Sequence, residues 1–216
     1  MPINIPEFSV IISTYNRAKL LERALHSLLA QTENNWEAII IDDGSTDNSE
    51  EIVHQIFTGN QNFQYHKQAN QGEAGAKNKG ISLAKGRFIT FLDSDDTYLP
   101  EHLESRKKIL KENPEIEFLH GGVKIIGNQY VPDLYHDGKN IHLSQCAIGG
   151  TFFVRRDIIV RLKGFRNLPI GADADLLNRA ESLGVKILKT EIPTYIYHRE
   201  NDDSITKNYG KLHGCD

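Results

Sequence analysis

One stretch constrains this chain more than any other. Arg87-Phe88-Ile89-Thr90-Phe91-Leu92-Asp93-Ser94-Asp95-Asp96 is a short apolar run that stops in three carboxylates within four residues. Phe88 to Leu92 has the length and the aromatic and β-branched content of a buried strand. The carboxylates then fall at its C-terminal end, the edge of an open α/β sheet where ligands bind. Acids packed this closely raise one another's pKa. A divalent cation such as Mg2+ or Mn2+ relieves that repulsion, and such ions take oxygen ligands that they often share with phosphates. The stretch therefore reads as a metal–nucleotide site. It reads equally as a solvated acidic turn that caps the next helix through Asp95 or Asp96.

The segments before it decide what kind of sheet holds this strand. Phe8 to Ser13 reads as a buried strand, with Thr14-Tyr15-Asn16-Arg17 as a polar loop. Lys19 to Gln31 has helical spacing with one apolar face. Trp36 to Ile41 is a second strand, ending in Asp42-Asp43-Gly44-Ser45. Ser45 and Asp47 are both placed to cap a helix running to about Phe57. Phe63 to His66 is a third strand, and a helix follows from about Ala74 to Ala84, with Gly86 as its C′ residue. Strict alternation of strand and helix predicts a mainly parallel sheet with helices on both faces. Three strand ends are polar or acidic: Ser13-Thr14, Asp42-Asp43 and Asp93-Ser94-Asp95. Their convergence on one edge points to a nucleotide crevice.

Other nucleotide motifs are missing. No Gly-x-Gly-x-x-Gly follows the first strand, and no Walker loop is present. Gly72-Glu73-Ala74-Gly75 opens a helix whose free N–H groups suit a phosphate, and a plain helix entry explains it equally well.

Past the acidic stretch, Pro100 to Asn113 is an amphipathic helix bounded by prolines. Ile116 to Leu119 and Val123 to Ile126 read as two strands, and residues 127–144 as a polar loop over the site. Gly149 to Val154 reads as a strand and Arg156 to Leu162 as a short helix. A further helix carries Asp173 and Asp175 at its start. Capping is the local reading of both, and a general base is the sharper reading of Asp173. Val185 to Leu188 and Thr194 to His198 close the fold as strands. His198, taken alone, reads as a surface or packed histidine.

Composition bounds the rest. With 216 residues, the chain fits one domain. A net charge of -4 gives no reason to expect nucleic acid. No apolar run approaches the ~20 residues of a membrane span, and no signal-peptide pattern opens the chain. The two cysteines, Cys146 and Cys215, show no metal spacing. A reduced, cytoplasmic protein is expected, with no disulfide called for.

The combined order of these pieces resembles a family. Ser9-Val10-Ile11-Ile12-Ser13-Thr14-Tyr15-Asn16-Arg17, Ile41-Asp42-Asp43-Gly44-Ser45-Thr46-Asp47 and Asn70-Gln71-Gly72 carry the likeness. So do Ala76-Lys77-Asn78-Lys79-Gly80 and Phe91-Leu92-Asp93-Ser94-Asp95-Asp96. Together they are similar to the inverting family 2 glycosyltransferases of the GT-A fold. The likeness is dense over residues 8–100. It is looser through Gly149-Gly150, Gly164-Phe165, Asp173-Ala174-Asp175-Leu176 and His198.

The resemblance implies roles. Thr14, Tyr15 and Arg17 would contact the nucleotide, together with Gly72. Asp42 and Asp43 would accept a hydrogen bond from the base, and Lys77 stands where the family usually has Arg. Asp93-Ser94-Asp95 would be the DXD element, Asp93 towards ribose or metal and Asp95 towards the metal, Mn2+ or Mg2+. Asp173 would be the catalytic base, with Asp175 as the alternative, and His198 would sit near the metal or diphosphate. Ala172 departs from the Glu that commonly precedes the base, and Lys77 lacks the planar fork of Arg.

The implied whole is a single GT-A domain over residues 1–216. Residues 8–100 would hold a nucleotide-diphosphate sugar, most simply a UDP-sugar. Residues 101–200 would hold the acceptor and the base, and 201–216 would be a polar tail. The acceptor would be a saccharide, a lipid-linked sugar or a protein. Association with the inner face of a membrane would be peripheral. The chain is short for such an enzyme, as expected of a catalytic core. A catalytically degenerate nucleotide-sugar-binding module and a nucleotidyltransferase are the competing expectations. The latter lacks support in Tyr15-Asn16-Arg17.

Overall fold

The structure is a computed structural model that describes residues 5–133, 136 and 139–200. The first half alternates as expected: β1 (Phe8–Thr14), α1 (Ala18–Leu29), β2 (Trp36–Asp42), α2 (Ser49–Ile56), β3 (Phe63–Lys67), α3 (Gly72–Leu83) and β4 (Phe88–Phe91). After the acidic turn come a two-residue β5 (Thr97–Tyr98), α4 (His102–Glu112) and β6 (Phe118–Gly127). A small hairpin of β7 (Tyr130–Pro132) and β8 (Asn140–His142) leads to β9 (Phe153–Arg155), α5 (Arg156–Arg161), α6 (Ala172–Ser182) and β10 (Ile187–Arg199).

Eight strands form one sheet in the order β3-β2-β1-β4-β9-β6-β10-β5. Strands β3, β2, β1 and β4 are parallel neighbours, with Thr14 opposite Asp42 and Ile11 opposite Phe91. Strand β9 runs antiparallel between β4 and β6, and β10 lies parallel to β6. The C-terminal ends of β1, β2 and β4 thus share one edge.

Alternate residues of each strand feed two cores. Val10 and Ile12 join Leu21, Leu25, Val53 and Leu103 on one face, beneath α1, α2 and α4. Ile11, Ile39 and Ile41 join Ile81, Ile158, Leu176 and Ala180 on the other, beneath α3, α5 and α6. Helices on both faces of a mostly parallel sheet is the GT-A-like architecture that the sequence leads one to expect.

Several details differ from the sequence reading. The two short strands around Gly121-Gly122 are one strand, β6, and those around Pro193 are one strand, β10. Their pairing changes register between Thr190 and Tyr195. Gly121 and Gly122 have φ of 89° and 74°, a left-handed backbone that favours glycine and that hid the continuity. Residues 149–151 form a 3-10 turn, so the strand starts only at Phe153. Gly86 is not a left-handed cap. It lies so close to β1 that a Cβ would stand 2.6 Å from the Ser9 nitrogen. Asp47 receives Ser49 N–H at 3.1 Å, but it also reaches across to the first N–H of α1, at Ala18, at 3.0 Å. Ser45 caps nothing in α2 and instead accepts from Asn16 N–H. Cys146 is half-buried, and Cys215 lies outside the described residues.

The irregular seam between β6 and β10 is held by Arg106. This fully buried side chain comes from α4. Its Nη2 shares hydrogens among the carbonyls of Gly121, Gly122 and Ile192 at 3.2, 3.4 and 3.0 Å. Burial lowers its pKa to about 10, still cationic at neutral pH. Replacing Arg106 by Met would take this shared donor away from the three carbonyls. A loss of ~3 kcal/mol in unfolding free energy is expected, read as a lower urea midpoint at unchanged m-value.

Candidate active site

The site lies where the C-terminal ends of β1, β2 and β4 meet α3, α6 and the end of β10. β1 ends in Thr14 and β2 in Asp42, and Asp93 follows two residues after the end of β4, so polar residues gather at this edge. There a cavity of about 590 Å³ opens. Thr14, Tyr15, Arg17, Asp43, Gly72, Lys77, Asp93, Ser94, Asp95, Asp173 and His198 all line it. Asp42 does not. It is fully buried at the end of β2. Its carboxylate accepts Ser45 N–H at 2.6 Å and the Tyr65 hydroxyl at 2.5 Å, so it braces the turn from beneath.

The loop after β1 is set by Asn16, whose φ of 53° is left-handed. Asparagine tolerates this conformation better than most residues. Asn16 N–H donates to Ser45 Oγ at 2.9 Å, and Asn16 Oδ1 accepts Thr46 N–H at 2.8 Å. The turn leaves the Tyr15 ring 49% exposed at the cavity rim. It also aims Arg17 at the acidic turn, where Nη1 meets Asp95 Oδ2 at 2.5 Å. Asp43 anchors the start of α3. It accepts Gln71 N–H at 2.9 Å and Gly72 N–H at 2.8 Å, as an acid does at a helix N-terminus.

Lys77 is buried at the cavity floor. Its Nζ lies 2.5 Å from Glu73 Oε1 and 3.0 Å from Asp93 Oδ1. The ammonium also stands over the rings of Phe91 and Phe165, 5.8 and 5.5 Å from their centroids. Burial alone would lower its pKa. The charges of Asp93, then Glu73 and Asp173, outweigh that and hold it well above the ordinary value. Lys77 is therefore a fixed cation inside the pocket.

The three acids of the turn do different work. Asp93 pairs with Lys77, and Asp95 with Arg17. Burial raises the Asp95 pKa; Arg17 opposes the shift and Asp93 adds to it. Asp96 faces away from the cavity and is fully buried. Its oxygens accept the Tyr195 hydroxyl at 2.6 Å and His198 N–H at 2.8 Å. Burial, and then the charges of Asp93 and Asp95, push its carboxyl well above the usual range. Asp96 thus fixes the last strand to the acidic turn and places His198 beside it. His198 Nε2 lies 3.2 Å from Thr97 Oγ1. Burial and the neighbouring Arg23 lower its pKa, against the pull of Glu200.

Asp173 and Asp175 sit in the first turn of α6, but neither caps it; Gly171 occupies the cap position. Asp175 binds Arg166 at 3.0 Å and Arg179 at 2.8 Å. Asp173 turns into the cavity, where Oδ2 accepts Gly149 N–H at 2.8 Å. Burial raises its pKa to about 6 against the pull of Lys77, and Glu73 and Asp93 push the same way.

Sequence reasoning gave no role to Glu73 or Tyr195, and it read Asp96 as a metal-turn or capping acid, not as the buried brace it is. Glu73 had a signal, its i,i+4 spacing to Lys77. Asp96 and Tyr195 meet across 99 residues, and nothing local announces that. None of the described residues of 127–144 lines the cavity.

Among the described residues no group of three or more His, Cys, Asp or Glu side chains is arranged to hold a metal ion. Asp93 and Asp95 nevertheless bring two hard oxygen donors to one wall. Burial raises the pKa of the Asp95 carboxyl, and the nearby Asp93 charge adds to the shift. That donor set fits a divalent cation that takes its other ligands from a diphosphate and water.

The sequence profile of glycosyl transferase family 2 matches residues 9–162. The chain belongs to that family. It is 33% identical over 145 residues to an Escherichia coli protein, UDP-Glc:alpha-D-GlcNAc-diphosphoundecaprenol beta-1,3-glucosyltransferase WfgD, covering 65% of this chain and 56% of that one. It is 37% identical over 108 residues to TuaG of Bacillus subtilis, a putative teichuronic acid biosynthesis glycosyltransferase, covering 50% of this chain and 43% of that one. The chain spans only about half the length of these relatives. Among solved structures, Staphylococcus aureus TarS 1-349 in complex with UDP-GlcNAc matches 92% of this chain and 60% of its own, with a TM-score of 0.78 at 23% identity. The mannosyltransferase PcManGT from Pyrobaculum calidifontis, in complex with GDP-Man and Mn2+, matches 88% of this chain and 56% of its own, with a TM-score of 0.69 at 18% identity.

The raised Asp173 has a consequence for stability. Its folded pKa of about 6 exceeds the ordinary carboxyl value, so ionising it opposes folding. That cost is absent below the unfolded pKa of ~4 and complete above the folded one. The melting temperature of Asp173→Asn relative to wild type should therefore rise between pH 4 and pH 6.5. A difference that stays flat over this window would show that Asp173 titrates normally.

Proposed function

We propose that this chain catalyses inverting glycosyl transfer from a nucleotide-diphosphate sugar to an acceptor hydroxyl. The observation that carries the reading is the convergence of Asp173, Lys77 and the Asp93-Ser94-Asp95 turn on one cavity at the strand ends. Residues 8–100 hold the nucleotide, and residues 101–200 supply the base and the acceptor side. Tyr15 offers an exposed aromatic face to a nucleobase at the rim. Arg17 and Lys77 are cations suited to a diphosphate. Asp42 is withdrawn from base recognition by its bonds to Ser45 and Tyr65, which leaves Asp43 as the acid at that wall.

Asp173 is the general base. Gly149 N–H holds Oδ2, so Oδ1 is the oxygen left to take the acceptor hydroxyl proton. The acceptor oxygen bonds to the anomeric carbon as the bond from that carbon to the diphosphate breaks on the opposite face. The electron pair leaves with the diphosphate, and the configuration inverts. Mn2+ or Mg2+, held by Asp95 and Asp93 with His198 beside them, would offset charge on the departing diphosphate. Lys77 adds a fixed positive charge on the same side.

The donor is a UDP-sugar of hexosyl or N-acetylhexosaminyl type in this reading. Support comes from TarS, solved with UDP-GlcNAc, and from the E. coli relative, whose name states UDP-Glc. The name of that relative also gives a lipid-linked acceptor, and TuaG points to cell-envelope polysaccharide. A saccharide or lipid-linked acceptor is accordingly favoured over a protein. Among the described residues no helix is long and apolar enough to cross a membrane. Action at the cytoplasmic face, by peripheral association, fits a lipid-linked acceptor.

Asp173→Asn should bind UDP with unchanged affinity and lose transfer by ~10²–10⁴-fold. Because the base must be unprotonated, wild-type kcat/KM should climb with pH through an acid limb near the Asp173 value of about 6. Normal transfer by Asp173→Asn would remove the base assignment.

A further inference from the structure

Gly149 and Gly150 lie in the 3-10 turn before β9, between two side chains from distant parts of the chain. On one side is Asp173, held at 2.8 Å by Gly149 N–H. A Cβ at Gly149 would stand 2.4 Å from Asp173 Oδ1, 2.7 Å from Cγ and 2.9 Å from Oδ2. On the other side is Tyr195. A Cβ at Gly150 would stand 2.1 Å from its hydroxyl oxygen and 2.2 Å from Cζ. That hydroxyl is tied to Asp96, and Asp96 also holds His198 N–H. Thr151 pins the turn further. Its Oγ1 donates to the Ile148 carbonyl at 2.7 Å and accepts Gly121 N–H at 3.0 Å.

The turn therefore has no room to retreat. Behind it stands a tyrosine ring locked by a buried carboxylate, and beside it a threonine bonded to both β6 and its own turn. Neither glycine has positive φ, so the requirement is for space and not for a left-handed backbone. If Gly149 gained a methyl group, the part free to yield is the Asp173 side chain. A glycine here lets the backbone N–H come within bonding distance of the carboxylate while its missing Cβ leaves space for the other oxygen.

We propose that Gly149 is a positioning residue for Asp173: its N–H fixes Oδ2 and its lack of a side chain leaves the room that Oδ1 occupies, so the carboxylate keeps its place at the cavity. The Gly150–Tyr195–Asp96 contacts form the stop against which this cradle is held. The same contacts join the orientation of Asp173 to the acidic turn and His198, which line the same cavity. This rests on the reading of Asp173 as the base.

The test is Gly149→Ala, measured in two ways. In steady-state transfer with a UDP-sugar donor, kcat should fall on the order of 10²-fold, as for a reacting group displaced by about an ångström. The donor KM and calorimetric UDP affinity should stay within about twofold. In thermal unfolding, Gly149→Ala should lower the melting temperature of wild type but not of Asp173→Ala, where the space is already empty. An unchanged kcat would overturn the proposal. So would equal destabilisation in both backgrounds, since the methyl group would then be clashing with something other than Asp173. Full transfer by Asp173→Asn would instead bring down the base reading, and the catalytic meaning of Gly149 with it, even if the stability coupling were seen.

Discussion

The structure depends on how three carboxylates are tolerated at the end of one buried strand. Asp93, Asp95 and Asp96 fall within four residues of one another just after β4, and close like charges in a partly dry setting are costly. Each is answered by a different device. Lys77 comes from α3 to Asp93, and Arg17 from the loop after β1 to Asp95. Asp96 is met by two neutral donors from β10. The acidic turn thereby draws three separate elements together: α3 and the β1 loop on its cavity side through Lys77 and Arg17, and β10 on its buried side through Asp96. Burial that would penalise the Lys77 ammonium is outweighed by the acids around it. The lysine and the turn are therefore mutually dependent.

The second half of the sheet supplies what the first half lacks. An antiparallel β9 wedged between β4 and β6 carries the 3-10 turn up to the first turn of α6. That approach sets Asp173 inside the cavity instead of on the helix cap, and burial there raises its pKa to about 6. A carboxylate poised near neutrality is what a general base requires. The cavity thus holds two cations, Lys77 and Arg17, each paired with an acid of the turn, together with a carboxylate of raised pKa, Asp173.

Most of the first half was legible in the sequence, because its apolar periodicity and its turn residues agree. Strands β1 to β4 and helices α1 to α3 stand within a few residues of their expected places. Reading failed where long-range contacts override local pattern. Gly121-Gly122 reads as a break, yet Arg106 bridges the carbonyls there and the strand runs on. Asp47 reads as a cap for its own helix and serves α1 as well. Asp42 reads as a cavity acid, but Tyr65 on the neighbouring strand claims it. The acidic turn was legible as a group, but the division of labour within it was not. Asp96 has no local mark that separates it from Asp95, since its partners Tyr195 and His198 lie about a hundred residues away. Gly149 carried a family signature without a role, because the side chain it accommodates belongs to another helix.

The most direct test of the account is calorimetric titration of UDP, with and without Mn2+, into wild type and Asp95→Ala. The account predicts UDP binding that strengthens with Mn2+ in wild type and a loss of that metal dependence in Asp95→Ala. Equal affinities in the two proteins, or no UDP binding in the presence of Mn2+, would contradict a metal-assisted nucleotide-sugar site at the end of β4.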